Sequence, residues 1–224
     1  EDAERLARGL GALGVQAGDT VATMLNHCID TYRVWFGLTR LKALEVPIST
    51  RYRGRMLEHI LSDSQAKLLI VDREHLDAVL HILRDANTTH LKHVIVRGAR
   101  QSSATIDCVE MLFLDSLLTD YGDADVPKVA LAGSAPHDLA LVLYTSGTTG
   151  PSKGVLIPWG QVHATVTGVF PDGTFEPGKV LYGPFPPNHI GGRLFPGMGI
   201  HYGGPAGGPP PVRAAAHPAG GGAP

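Results

Sequence analysis

The sequence predicts an α/β domain, a mostly parallel sheet flanked by helices, and three observations predict it. Apolar residues at helical spacing alternate with short β-branched runs through the first hundred residues. Leu139-Ala140-Leu141-Val142-Leu143-Tyr144 is an unbroken run of strand formers, the mark of a strand covered on both faces. At 224 residues, with 43% hydrophobic and 18% charged residues, the chain can bury a sizeable core.

The elements follow in order. Ala3, Leu6, Ala7, Leu10 and Leu13 recur at helical spacing, and Gly14 stops that helix. Gly18-Asp19 turns the chain into a strand over 20–25, and Val34, Trp35, Leu38, Leu41 and Leu44 predict a helix over 30–44. Val46-Pro47-Ile48 is extended, because proline biases its predecessor away from helix. Met56, Leu57, Ile60 and Leu61 form a helix face before a strand over 67–71, and Leu76, Val79, Leu80 and Leu83 form another before a strand over 93–96. Such alternation predicts parallel strands joined by crossovers. Residues 98–138 read as a surface connection with a short helix near 115–121. Further on, a strand over 155–157, a helix over 159–169 and a strand over 179–182 are expected.

Composition excludes several function classes. A net charge of −2 makes no electrostatic case for nucleic acid or for an anionic membrane surface. Every apolar run falls short of a bilayer span. Cys28 and Cys108 fit neither a metal spacing nor a disulfide framework, so a reducing, cytoplasmic setting is the expectation. From residue 203 onward the chain is almost entirely glycine, proline and alanine, which cannot offset the entropy of ordering. The expected division is therefore a domain over 1–202 and a disordered tail over 203–224.

Between the strand at 139–144 and the one at 155–157 lies Thr145-Ser146-Gly147-Thr148-Thr149-Gly150-Pro151-Ser152-Lys153-Gly154. Its glycines let successive backbone N–H groups point into one concavity. Thr145, Ser146, Thr148 and Thr149 add hydroxyl donors, Lys153 adds a mobile positive charge, and the stretch holds no acidic residue. A plain hairpin turn would explain the glycines but not the hydroxyls and the lysine. A Walker-type loop fails on spacing: Ser152 stands where that motif needs glycine, and Gly154 follows the lysine where it needs Ser or Thr. The chemistry is that of a polyphosphate loop.

Residues 144–155 resemble, without a break, the signature loop of the adenylate-forming superfamily, which includes acyl-CoA synthetases, aryl-CoA ligases, peptide-synthetase adenylation domains and luciferases. Val46-Pro47-Ile48-Ser49-Thr50-Arg51-Tyr52-Arg53-Gly54 resembles that family's second core motif, and its tyrosine and glycine are similar to the carnitine-CoA-ligase-like branch. The resemblance implies an ATP-dependent acid–thiol ligase: a carboxylic acid is joined to AMP, then passed to coenzyme A, with Mg2+ neutralising phosphate charge. It assigns the β- and γ-phosphates to Thr145, Ser146, Gly147, Thr148, Thr149, Gly150 and Lys153. His189, at the end of Pro184-Phe185-Pro186-Pro187-Asn188, falls where the family has an aromatic or histidine that contacts the acyl substrate. Arg193, just after it, is a weaker candidate for a role there, with a simply solvated side chain as the alternative.

The family's groups for adenine, ribose and magnesium, and its catalytic lysine, lie further downstream and have no counterpart in these 224 residues. The expectation is an incomplete N-terminal portion with no assigned catalytic residue and no assigned metal ligand. The alternative expectation is a non-catalytic remnant with weak or no nucleotide binding. Neither the acid nor the oligomeric state is legible.

Overall fold

The computed structural model describes residues 2–84, 90–98, 109–120, 133–145, 150–171, 174, 180–202 and 206–207. The predicted alternation is present as α1 (Asp2–Ala12), β1 (Thr20–Met24), α2 (Ile29–Arg40), β2 (Leu44–Pro47), α3 (Gly54–Asp63), β3 (Leu68–Asp72), α4 (Leu76–Arg84) and β4 (His93–Arg97). Then come β5 (Glu110–Phe113), α5 (Leu114–Asp120), β6 (Leu139–Thr145), β7 (Lys153–Pro158), α6 (Trp159–Gly168), β8 (Leu181–Tyr182), α7 (Ile190–His201) and β9 (Ala206–Gly207).

Seven strands form one sheet in the order β5-β4-β3-β1-β2-β6-β7. Every neighbouring pair from β5 to β6 is parallel, and only β6 and β7 are antiparallel. A separate short pair, β8 and β9, is also parallel. The rest of 203–224, including the expected disorder, lies outside the described residues.

Side chains of the central strands alternate between two faces, as the two-residue period of a strand requires. On β3, Leu69 and Val71 pack with Leu57, Ile60 and Leu61 of α3 and Val79, Ile82 and Leu83 of α4. Their neighbours Leu68 and Ile70 pack with Leu6 and Leu10 of α1, Val34 and Leu38 of α2, and Leu117 of α5. The helices therefore cover both faces, and burial accounts for the amphipathic stripes read from the sequence, except that Met56, expected on the buried face of α3, is exposed. A third cluster fixes the β6–β7 end: Leu141, Leu143 and Ile157 pack with Trp35 of α2, Val162 and Val166 of α6, and Leu194 and Met198 of α7. Trp35 stacks on Trp159 at 5.1 Å and donates its indole N–H to the Ala140 carbonyl at 3.1 Å. No helix among the described residues is long and apolar enough to cross a membrane.

Three stretches differ from the sequence expectation. The helix expected over 30–44 stops at Arg40, because Lys42 takes φ +53° and the chain leaves the helical path, which frees Leu44 to open β2. The surface connection expected over 98–138 contains β5, paired in parallel with β4 through Val94↔Met111 and Val96↔Phe113. It is an edge strand of half-exposed side chains, so its sequence carries no clean alternation. Helix α7 was not foreseen, because Gly191, Gly192, Pro196, Gly197 and Gly199 all weigh against helix. Packing of Leu194 and Met198 against α6 and β6 overrides that propensity.

Candidate functional site

The polyphosphate-type loop is the connection of the β6–β7 hairpin. Strand register carries Tyr144 opposite Gly154 and Thr145 opposite Lys153, so the two chain ends of the loop are clamped side by side. Thr145, Gly150 and Lys153 are exposed; Ser146, Gly147, Thr148 and Thr149 lie outside the described residues. Helix α3 braces both flanks of the loop. The Tyr144 hydroxyl donates to Asp63 Oδ2 at 2.6 Å, and His59 Nε2 donates to the Ser152 carbonyl at 2.7 Å. The rings of His59 and Tyr144 also meet edge to face at 6.4 Å. Burial pushes the Tyr144 phenol up, and the bond to Asp63 and its negative charge push it further, so Tyr144 stays a hydrogen-bond donor.

Because β1, β2 and β6 run parallel, the loop leaves the sheet at the carboxyl ends of the strands. This is the edge where open α/β sheets take ligands. The turn that carries His189 is docked at the same edge. His27, just after β1, lies against the backbone of Phe185, and the Tyr32 hydroxyl donates to the Gly192 carbonyl at 3.0 Å. His189 itself is exposed and caps α7, its Nδ1 accepting the Gly191 N–H at 3.2 Å. The Phe185 ring stacks on its imidazole at 5.7 Å with the planes 19° apart. Gly192 is needed here, since a Cβ would stand 2.2 Å from the Pro186 carbonyl oxygen.

The solvated alternative for Arg193 does not hold: its side chain is 1% exposed. The guanidinium donates through Nε to the Pro187 carbonyl at 2.6 Å and through Nη2 to Glu45 Oε1 at 2.7 Å. Thr23 donates to the same Oε1 at 2.6 Å. Burial pushes the Glu45 carboxyl up, and the charge of Arg193 and the bonds from Thr23 and Arg193 pull it back. Sequence reasoning missed this pair, although a signal existed: Glu45 is the one acidic residue in Leu44-Glu45-Val46-Pro47 at the sheet centre.

A second charged group lines the crevice beyond β1 and β3. Asp72 accepts the Asn26 N–H at 2.8 Å and Arg97 Nη1 at 2.9 Å, while Arg97 Nε donates to Asp30 at 2.6 Å. Asp72, Glu74 and His75 come close enough to share an ion. Most of their donor atoms are engaged within the protein: Asp72 with Arg97, Glu74 with the Asn26 amide and His75 Nε2 with Asn26 Oδ1 at 3.2 Å, while His75 Nδ1 is buried without a partner. That arrangement is a structural lock between β1, β3 and β4.

This chain is similar in sequence or in fold to several characterised proteins. A crotonobetaine/carnitine–CoA ligase of Salmonella heidelberg (strain SL476) is 32% identical over 161 residues, which is 70% of this chain and 29% of that protein. An anthranilate CoA ligase, solved in complex with anthranoyl-AMP, superposes with a TM-score of 0.75 at 25% identity, over 91% of this chain and 38% of its own. A fatty acyl CoA synthetase of Mycobacterium tuberculosis, at 24% identity, shares the fold with a TM-score of 0.73 over 93% of this chain and 38% of its own. The chain thus spans 29% of the length of the curated relatives it matches. The family profile described as AMP-binding enzyme matches residues 1–219, and with a hairpin loop and parallel sheet of this design, the chain belongs to the AMP-binding enzyme family.

Proposed function

We propose that this chain supplies the phosphate loop and one wall of the acyl pocket of an ATP-dependent acid–thiol ligase. In the first half-reaction a carboxylate oxygen attacks the α-phosphorus of ATP, and the bond to the bridging oxygen breaks to release pyrophosphate. In the second, the thiol of coenzyme A takes the acyl group from the adenylate and AMP leaves. The supporting observation is the unbroken loop sequence on a clamped hairpin, with exposed Thr145, Gly150 and Lys153 at the sheet edge that also carries His189.

The residues present suit a triphosphate. Backbone N–H groups of Ser146 to Gly150, the loop hydroxyls and Lys153 would hold the β- and γ-phosphates in line with the attacking carboxylate, so that catalysis is positioning and charge stabilisation. Mg2+ would neutralise phosphate charge when bound. No ligand for it is assigned here, since Asp63, the carboxylate beside the loop, already accepts from Tyr144. His189 would face the carboxylic acid. The relatives' substrates suggest the class, a small carnitine-like, aromatic or fatty acid, and the reaction belongs in the cytoplasm, where ATP and coenzyme A are supplied.

The test is Lys153→Ala. Loss of a charge-assisted phosphate contact of about 1.5–3 kcal/mol should weaken ATP binding roughly ten- to a hundredfold and leave AMP binding nearly unchanged. Equal losses for both nucleotides would refute the role given to the loop. Carboxylate-dependent ATP–pyrophosphate exchange by the chain reads the first half-reaction directly. Absent exchange with ATP binding retained leaves a nucleotide-binding chain without the ligase step.

A further inference from the structure

Arg193 and Glu45 stand outside the phosphate loop, and charged side chains are almost never this completely buried unless paired. Glu45 projects from β2 toward α2 with its side chain 0% exposed, and its Oε2 has no hydrogen-bond partner. From the other side, the Arg193 guanidinium reaches three elements at once. Nη2 is held by Glu45 in β2, Nη1 approaches the Thr31 carbonyl in α2 at 3.5 Å, and Nε donates to the Pro187 carbonyl in the turn. The guanidinium carbon also stands 5.5 Å over the Trp35 ring. A buried ion pair is a poor device for stability alone, because two well-packed apolar side chains serve as well or better. What an apolar pair could not do is aim a rigid fork at a backbone carbonyl two residues before His189.

We propose that Arg193, anchored by Glu45, is a positioning residue that sets the Phe185–His189 turn from the centre of the sheet and so places His189 for the carboxylic acid. The second half of this statement rests on the acid-side reading of His189 given above; the first half stands on the geometry alone. The carboxylate orients the guanidinium, the guanidinium orients the Pro187 carbonyl, and Tyr32 holds the far side of the turn at Gly192.

Hydrogen exchange of the full chain, read by mass spectrometry on peptides covering 183–193, separates positioning from stability. Three variants are compared: Arg193→Lys, Arg193→Met, and the double variant Glu45→Leu with Arg193→Met. The apolar double variant is expected to regain the melting temperature that Arg193→Met loses, yet to keep fast exchange in 183–193 while β3 and β4 remain protected. Arg193→Lys keeps the charge but cannot bridge Glu45 and Pro187 together, so its turn should also exchange at least tenfold faster than wild type. Wild-type protection of the turn in Arg193→Lys overturns the proposal. So does a double variant that restores turn protection together with the melting temperature. A parallel ATP–pyrophosphate exchange assay with octanoate, benzoate and carnitine reads the consequence for substrate: Arg193→Lys should raise the KM for the acid severalfold and leave the KM for ATP unchanged. Exchange with none of the three acids by the wild-type chain refutes a ligase step carried out by this chain alone, and the hydrogen-exchange outcome then still decides the positioning role.

Discussion

The proposed phosphate loop and the His189 turn sit at one edge of the same sheet and are held in opposite ways. The loop is clamped by strand register and braced from the side by Tyr144–Asp63 and His59–Ser152, contacts made by partly exposed groups. The turn is bolted from beneath, by a guanidinium and a carboxylate that are 1% and 0% exposed. The contrast follows from what each segment must do with its backbone. A hairpin satisfies its own N–H and C=O groups across the ladder, so the loop ends need little help. The proline-rich turn at 184–189 has three prolines without an N–H and belongs to no ladder; the His189 N–H satisfies the Pro186 carbonyl at 3.0 Å, but the Pro187 carbonyl takes its donor from a side chain. Arg193 is the side chain that does it.

That comparison can be broken or sharpened by four variants, from the largest effect to the smallest. Arg193→Met strips a buried carboxylate of its partner and should cost about 3–5 kcal/mol of unfolding free energy. A loss in urea titrations as small as that of a surface variant would erase the distinction between the two regions. Gly192→Ala drives a methyl group toward the Pro186 carbonyl and should cost about 1–3 kcal/mol, visible as a lower melting temperature with α7 the first element to lose protection. Tyr144→Phe removes one hydrogen bond at a part-exposed site, so at most about 1 kcal/mol is at stake. Its signature should be local, faster hydrogen exchange over 144–154 at an almost unchanged melting temperature; a global loss would show the loop brace to be as deep as the bolt.

The smallest effect is a pH dependence seated under the turn. Burial holds the His27 imidazole below its ordinary 6.5, against the pull of the Phe185 backbone and with help from the positive charge of Arg193. Burial likewise lowers His75 from 6.5. Below 6.5 the unfolded chain takes up protons that the folded chain refuses, so stability falls as pH drops from 6.5 toward the folded values and is unaffected above that window. Urea midpoints at about pH 7.5 and about pH 6 should differ for the wild type and converge in the His27→Gln, His75→Gln variant. An undiminished difference in that variant would assign the effect to other groups.

The first four helix–strand alternations were legible because each rests on local periodicity that burial then rewards, as with Leu57, Ile60 and Leu61 on one face of α3. The loop was legible because its chemistry is contiguous: hydroxyls, glycines and Lys153 within ten residues of Thr145. β5 escaped because an edge strand with half-exposed side chains has no strict alternation to display. α7 escaped because its glycines and Pro196 argue against helix until packing on α6 and β6 is known. The end of α2 was misjudged because nothing local announces that Lys42 will take a left-handed φ.

By itself, then, the sequence determined the α/β class, the strand and helix order through β4, and the two strands that flank the proposed phosphate loop, all properties set within a few residues of one another. Only the tertiary structure decided how that loop is braced by α3 and how the His189 turn is seated. Arg193 and Glu45 are separated by 148 positions, and Tyr32 and Gly192 by 160. An arginine at the start of a glycine-rich helix looks solvated until the fold buries a carboxylate opposite it, because burial, unlike periodicity, is a property that no short stretch of chain possesses alone.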